Sequence, residues 1–599
     1  MANSVQKNSA GPVKLTIKTD GTELAGNIQV LSVHVNHCIN RIPTATLVVA
    51  DGNVSKKAFT ISDLKTFEPG NKIDISAGYG SKEQSIFSGI IVRHGIGINV
   101  DNSNNSQLKV VCSDSAQMMT MTRNNANYLK QKDSDIMSSL ISGHSGLSAD
   151  VTATSTEYDE LVQFNSSDWD FLLTRAEVNG YLVNVVAGKV TVAPPKAETP
   201  QLTATWGDDL ISFEADMDAR YQYKKVSASC WDMAKQAPLN ATAAGEAINK
   251  QGNITSADLS KALGGGDFLL QSNTNLLKPA LTDWAKAQQV KSELARIRGK
   301  MRFIGNAAAV PGGAIKVAGV GQRFEGNVFI SQVEHEISNG HWISNVDFGM
   351  SPHWSAEYRD LAAPPASGLL PGVEGLQVGQ VMKLDGDPLK QFRIQVKVPV
   401  LQAKKAGVWA RLSSPYASSG FGHFFIPEVG DEVILGYFNN NPSDPVVLGC
   451  LYSSTRKPPP PGELTADNDI KAFVTKSMLT IKFDDKDKII TVVTPKGNTL
   501  VLDDKEEQIS MTDSNKNKVV MSKSGIELNS VKDVTISAKE NISLSATKSV
   551  TIKGSTGVTV SGSSVSLKAD TSFTAQGSSG ATVKSSGVTQ IQGTMVKIN

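Results

Sequence analysis

The sequence predicts a mostly-β protein, and three observations predict it. Runs of alternating apolar and polar residues recur from Val13 to Leu451, separated by Gly, Pro and Asp-Gly turn signals. Val, Ile, Thr, Ser and Gly are plentiful, with 50 Gly, while helix-forming runs are few. From Val534 the chain falls into apolar-polar-apolar triplets: Val534-Thr535-Ile536, Ile542-Ser543-Leu544, Val550-Thr551-Ile552 and Val558-Thr559-Val560. They continue as Val565-Ser566-Leu567, Phe573-Thr574-Ala575 and Ala581-Thr582-Val583, spaced by eight residues with one seven-residue step. Alternation inside a triplet marks a short strand, and a fixed period between triplets marks a stacked repeat.

The first hundred residues supply the first strands. Val13–Ile17, Ile28–Val35, Ala45–Val49, Lys72–Ile75, Ser85–Val92 and Leu108–Cys112 alternate, with turns at Asp51-Gly52, Pro69-Gly70 and Gly78-Tyr79-Gly80. Two helices follow. Ser134 is placed to cap a helix over Asp135–Ile141. Ser167 caps a second from Asp168 to Val178, with Asp170 in the capping-box position, Trp169, Leu172, Leu173 and Ala176 as its apolar stripe, and Gly180 as its stop. Further strands run through Tyr181–Pro194 and Tyr221–Cys230. Residues 232–278, rich in Ala, Asn, Gln and Gly, read as a surface excursion. A helix over Leu281–Ile297, with Trp284, Val290, Leu294 and Ile297 inward, returns the chain to strands at Ala314–Val317, Val328–Ile337 and His341–Phe348. The first half therefore predicts two related β-barrels with helices between them.

Ala362–Gly368 is a linker by composition. Beyond it, Gln377–Met382, Phe392–Val400, Val408–Leu412, Phe424–Ile426, Glu432–Phe438 and Val446–Leu451 suit a small closed barrel, with Trp409 and Phe424 in its core. Lys457-Pro458-Pro459-Pro460-Pro461-Gly462 is a stiff second linker, and Leu479–Asn529 a meander of charged hairpins. Each of the final repeats offers two or three modest apolar side chains, too few to close a core in one chain. Three chains winding together solve this as an intertwined β-prism, descending roughly 14 Å per turn at about 4.7 Å per strand. A single-chain solenoid and a Ser/Thr/Gly linker are the alternatives.

Lys+Arg 59 against Asp+Glu 58 leaves a formal charge of +1, so nothing global points to nucleic acid or acidic membranes. Cys38, Cys112, Cys230 and Cys450 are far apart without a CxxC and fit reduced thiols. Residues 1–14 lack the apolar core of a signal peptide, and no run approaches a membrane span. Cytoplasmic synthesis is the expectation, with export by something other than the general secretory route.

The barrel carries the specific signal. Phe392-Arg393-Ile394-Gln395-Val396-Lys397-Val398, Val408-Trp409-Ala410-Arg411-Leu412, Gly422-His423-Phe424-Phe425-Ile426-Pro427-Glu428-Val429-Gly430-Asp431-Glu432-Val433 and Asp444–Tyr452 resemble the OB-fold of VgrG spike proteins and of the matching phage baseplate needle. Ser167–Leu172 with Glu177 and Gly180 is similar to the family's hub helix. The resemblance implies a hub over 1–361, a linker at 362–374, an OB-fold at 375–455, a Pro-rich linker at 456–465, a β-meander neck at 466–530 and a triple-stranded β-helix needle at 531–599. It also implies a homotrimeric spike at the tip of a contractile injection system, adapting a sixfold tube to a threefold needle that punctures a membrane. Implied partners are a tube protein of the Hcp kind, baseplate components, non-covalent effectors and a PAAR-repeat tip. That tip would dock on Thr594, Met595, Val596, Lys597, Ile598 and Asn599. The alternative is a trimeric phage-tail or receptor-binding fibre.

No catalytic, cofactor or metal site is expected. His34-x-x-His37-Cys38 has metal-like residue types, but in a strand His34 and His37 face opposite ways. His335-Glu336 lacks the second His of a zinc-protease motif, because Asn339 stands there, and Gly143–Gly146 lacks the spacing of a nucleophile elbow. Asp484, Asp485, Asp503 and Asp504 pair carboxylates as a glycosidase does, yet Asp-Asp-Lys hairpin ends explain them more simply.

Overall fold

The computed structural model describes residues 2–6, 11–80, 82–98, 106–196, 198–232, 234–245, 247–272, 276–357, 364–399, 407–460 and 464–598. The chain divides into two units, Met1–Leu451 and Tyr452–Asn599.

In the first unit one fourteen-stranded sheet runs from Asn3–Ser4 through Leu202–Thr205, Ala314–Ala318 and Gly326–Ser338 to Val30–Cys38. It continues through Thr44–Ala50, Gln107–Ser113, Lys82–Gly97 and Lys72–Tyr79 to Val13–Thr19 and Thr22–Glu23. His341–Phe348, Ile297–Ile304 and Leu210–Met217 branch from Gly326–Ser338. The two predicted halves appear as two cores on this one sheet. Val33, Leu47, Ile73, Ile75 and Val110 close around Phe67 in the first. Met301, Phe303, Ile315, Val317 and Phe348 form the second. They are joined where Gly326–Ser338 pairs antiparallel with Val30–Cys38. Trp342 and Ile337, from the later half, are buried in the first core, and Trp342 stacks on Tyr79 at 5.6 Å.

The helices form satellites with their own cores. The first, α1, spans Asp133–Ser142, two residues earlier than expected. Ser134 does not cap it; its backbone N–H donates to Thr154 Oγ1 at 3.1 Å inside the first turn. The second, α2 (Asp168–Val178), follows the sequence closely. Ser167 Oγ accepts the Asp170 N–H at 3.1 Å, and Trp169, Leu172, Leu173 and Ala176 are buried. At its end Gly180 takes φ +70, and the Tyr181 and Gly180 N–H groups donate to Ala176 and Glu177 carbonyls at 2.9 Å. This left-handed stop satisfies two otherwise orphaned carbonyls. Ser167→Ala removes the one side-chain cap and is expected to destabilise this module by about 1 kcal/mol, measurable by denaturant unfolding.

Residues 232–278 are not a simple excursion. Ala237–Ala243 pairs antiparallel, and Asp267–Ser272 parallel, with Lys225–Asp232. Between them α3 (Ser256–Ala262) starts on a Thr255–Asp258 capping box, and α4 (Lys278–Ala295) covers the sheet through Leu281 and Ala285. The alternation was present as Leu239, Ala241 and Ala243, but alanines bury too little to mark a strand in sequence. In α4 Leu294 is buried and Trp284 and Val290 are half-buried, whereas Ile297 opens the next strand.

The closed barrel is built from Gln377–Lys383, Ile394–Lys397, Val408–Leu412, Pro445–Leu451 and Glu432–Tyr437, around Val381, Val396, Ala410, Val433 and Leu435. Phe424–Ile426 is not one of its strands. Phe424 is 85% exposed, and Trp409 is half-buried rather than core. Val400 and residues 401–406 lie outside the described residues, as do 358–361 at the end of the hub, 362–363 of the first linker and 461–463 of the second.

In the second unit, Ile470–Val474, Thr480–Asp484, Ile489–Val493, Thr499–Asp503, Gln508–Thr512, Lys518–Ser522 and Gly525–Asn529 form one antiparallel meander of seven strands. Its two turn edges are stitched differently. Along one edge each turn is ion-paired to the next: Lys471 to Asp485, Asp487 to Lys505 at 3.1 Å, and Glu507 to Lys523. Along the other, Asn498 Oδ1 accepts the Ser514 N–H at 2.9 Å, and Asn517 Oδ1 accepts the Val531 N–H at 3.0 Å. The turns recur in sequence as well, Phe483-Asp484-Asp485-Lys486 returning nineteen residues on as Leu502-Asp503-Asp504-Lys505.

Beyond Asn529 the pattern changes. Bends fall at 531–532, 539–540, 547–548, 555–556, 562–563, 570–571, 578–579 and 586–587, reproducing the eight-residue period and its single seven-residue step. The segments between them are extended, yet among the described residues none belongs to a strand pair. A single-chain solenoid requires such pairs, so that alternative is set aside.

Candidate interaction surfaces

The polar groups that sequence singles out are placed as structural parts. His37 Nε2 lies 3.0 Å from Asn184 Oδ1, and burial pulls its pKa below the usual imidazole value. His335 is enclosed, with Nδ1 facing Ser344 Oγ at 2.9 Å and Trp342 Nε1 at 3.3 Å. His144 Nε2 meets Asp168 Oδ2 at 2.9 Å, and the other Asp168 oxygen accepts from Asn124 and Gln163. Asp484 and Asp503 fold back onto their own turns, accepting the N–H groups of Asp487 and Glu506 at 3.2 and 2.9 Å. Among the described residues no three His, Cys, Asp or Glu side chains are placed to hold a metal ion, and no helix is long and apolar enough to cross a membrane.

Exposed apolar side chains are spread over both units, and three groups of them are aligned. On the barrel, Tyr416, Phe421, Phe424 and Phe425 project from a loop closed by the Ala417–Gly422 bridge, with His423 stacked on Phe425 at 4.3 Å. That loop is rigid because the His423 N–H donates to the Tyr416 carbonyl at 2.8 Å, while Ser414 Oγ donates to the Tyr416 and His423 carbonyls. On the meander, the third and fifth strands and their neighbours present aligned aliphatic side chains.

The octad segment holds the third group. Val534, Ile542, Val550, Val558 and Val565 are each 52–56% exposed, and their partners Ile536, Leu544, Ile552, Val560 and Leu567 each 68–74%. Each of these five repeats thus exposes an aliphatic pair to nearly the same extent. Its final residues Thr594, Met595, Val596, Lys597 and Ile598 are exposed; Thr594 lies at a further bend, and none of the five has a strand partner among the described residues. Asn599 lies outside the described residues.

Comparisons with known proteins bear on both ends of the first unit. A family model described as the Alg8 N-terminal domain matches residues 9–339. One described as the type VI secretion system/phage-baseplate injector OB domain matches residues 377–452. The chain is similar to the type VI secretion system spike protein VgrG4b of Pseudomonas aeruginosa, 36% identical over 73 residues, which are 12% of this chain and 9% of that one. It is 30% identical over 131 residues to VgrG5 of the same organism, covering 21% of this chain and 16% of the relative. It is 27% identical over 114 residues to the actin cross-linking toxin VgrG1 of Vibrio cholerae, covering 18% and 10%. The matched stretches thus span no more than 16% of these relatives' length. Among solved structures, the 43 kDa tail protein of prophage MuSo2 from Shewanella oneidensis covers 57% of this chain and 98% of its own, at 9% identity and a TM-score of 0.43. An E. coli component of the type VI secretion system covers 73% and 99%, at 12% identity and a TM-score of 0.35.

Proposed function

We propose, for a chain that belongs to the family of the Alg8 N-terminal domain and carries an injector OB domain of the type VI secretion and phage-baseplate kind, that it works as the trimeric central spike of a contractile injection machine. One observation carries this reading. The octad segment sets out extended stretches at an eight-residue period broken by one seven-residue step, with apolar side chains uncovered and no strand partner among the described residues. Unpaired strand edges and repeated apolar pairs are costly in water, and two further copies at the same period satisfy both at once. An intertwined prism of this kind has ladder hydrogen bonds on every face, which makes it stiff enough to transmit thrust to a small tip.

In this reading the hub over 1–361 meets the tube and baseplate, the OB barrel joins it to the neck at 466–530, and residues 531–599 are the needle. The open strand ends at Thr594, Met595, Val596, Lys597 and Ile598 take a PAAR-type tip by strand addition. Effectors ride on the spike non-covalently, and assembly in the cytoplasm precedes delivery across the target membrane. The work is mechanical, with no reaction assigned to any side chain.

The test is the mass and denaturant resistance of the purified full-length chain. A species of three chains is expected. Deleting residues 531–599 is expected to lower its resistance to guanidinium markedly. A folded full-length species with the mass of one chain refutes the reading, and an equally resistant deletion variant refutes the needle's stabilising part in it.

A further inference from the structure

The meander between Ile470 and Asn529 leaves one of its faces uncovered. Side chains alternate along each strand, and the register lines up aliphatic ladders on one side, while the other mixes Ile489, Val493, Val501 and Val520 with polar groups. Ile490 lies beside Leu502, Leu502 beside Ile509 and Ile509 beside Met521. Two residues along, Leu500 lies beside Met511 on the same face. The opposite face carries Lys482, Thr491, Ser510 and Glu527. For a sheet that works alone in water, the burial is inverted. Leu502, Ile509, Met511 and Met521 are 37–45% exposed, while Val520 on the polar side is 7% exposed. Open hollows of about 920 and 680 Å³ lie along this face, the first lined by Leu502, Ile509 and Met521 together with charged turn residues at 486–488, 503–505 and 507, the second by Val492, Leu500, Met511 and Leu528.

We infer that this face docks two further copies of the same chain, and that the meander is the element that brings three chains into register before the octad segment forms. The inference rests on the trimeric reading above. The occupant follows from the chemistry of the face. Its ladders are aliphatic, and at the turns beside them Lys471, Lys505 and Lys523 are already ion-paired within the chain to Asp485, Asp487 and Glu507. About a dozen partly exposed aliphatic side chains at roughly 50 Å² each give on the order of 600 Å² per chain, at the top of what monomers leave uncovered and near the share one partner buries in a stable interface. Continuity points the same way. Asn517 ties the meander to Val531 at the first bend of the octad segment, whose apolar pairs need the same kind of cover.

The order of events follows from hydrogen bonding. All seven strands of the meander are paired inside one chain, so it folds before any partner arrives. The octad strands have no such pairs among the described residues and form only once three chains are held together. A costly nucleus that is assembled in advance is what makes a long repeat cooperative.

Three full-length double variants test this at about 1 µM, read by light scattering and by protease cleavage mapped with mass spectrometry. Leu502→Glu with Met511→Glu is expected to give single chains cleaved throughout 531–598. Val550→Asp with Ile552→Asp is expected to stay trimeric through the meander and be cleaved only beyond Ser530. Thr491→Glu with Ser510→Glu, on the polar side, is expected to stay trimeric and protected. A trimeric, protected Leu502/Met511 variant overturns the inference, as does a Val550/Ile552 variant that falls to single chains. A parent chain that is itself single overturns the trimeric reading instead. Against misfolding of the charged variants, Leu502→Cys in the otherwise unchanged chain is expected to react with maleimide at least ten-fold more slowly than Ser510→Cys. Equal rates in a trimer place the face outward, open to a different protein, and refute the docking.

Discussion

Arg175→Met unfolds the helical module of the full-length chain about 3–5 kcal/mol more readily than the parent, because it strands a buried charge. Asp133 opens α1 with its side chain fully enclosed. It receives two parallel bonds from α2, Arg175 Nε to Oδ1 at 2.6 Å and Nη2 to Oδ2 at 2.9 Å, and a third from Asn179 Nδ2 at 2.8 Å. The guanidinium also lies over the Tyr158 ring at 5.1 Å. Removing it leaves one neutral donor for a carboxylate with no access to water. Arg175→Lys keeps the charge but not the fork and is expected to fall between. Asp133→Leu with Arg175→Met removes both charges and is expected to recover most of the loss, which separates a stranded carboxylate from lost packing. Denaturant unfolding followed at Trp169, on α2 itself, measures all three. A single variant within 1 kcal/mol of the parent contradicts the argument.

Acid is expected to loosen the first unit through His335. Burial pushes this imidazole down to about 3, and Nδ1, which faces the Trp342 indole N–H, is held as an acceptor and so unprotonated. The unfolded chain takes up its proton near pH 6.5. Between these values the unfolded state binds more protons than the folded one. The contribution is therefore complete above about pH 6.5 and lost as pH falls, by about 1.4 kcal/mol per unit down to about pH 3. Two groups on strands of the same sheet share the window. His37, lowered by burial, adds in the same direction. Asp347, raised by burial, acts in the opposite one. Both remain in a His335→Gln variant, so the difference between parent and variant unfolding from pH 7 to pH 4 isolates His335. A parent slope no steeper than the variant's contradicts it.

The strands with large β-branched or aliphatic residues, such as Val30–Cys38 and Lys72–Tyr79, were legible because alternation and burial coincide there. So was α2, where cap, stripe and stop agree. Ala237–Ala243 was not, since alanine and threonine alternate without hydrophobic contrast. Phe424 was misplaced for the opposite reason. An aromatic among apolar neighbours reads as core, and only the register of the barrel reveals that the stretch between Leu412 and Glu432 is a loop. On the meander the charged turns drew attention to Asp484 and Asp503, while the signal that mattered was the nineteen-residue recurrence linking Phe483 to Leu502 and Met521. The octad period and its one short step were legible from the triplets, and the bends fall between them with the same spacing.

That period contains its own irregularity, the seven-residue interval between the bends at 555–556 and 562–563. A stack of near-identical rungs is degenerate: a strand displaced by one whole rung meets the same aliphatic pair it left. The short interval lifts that degeneracy. In the proposed trimer, a chain shifted by eight residues would set its tight corner against its neighbours' wide ones, so three strands would agree only when all are in frame. A single omitted residue thus works like the notch of a key, permitting one alignment out of many that the repeats alone would accept.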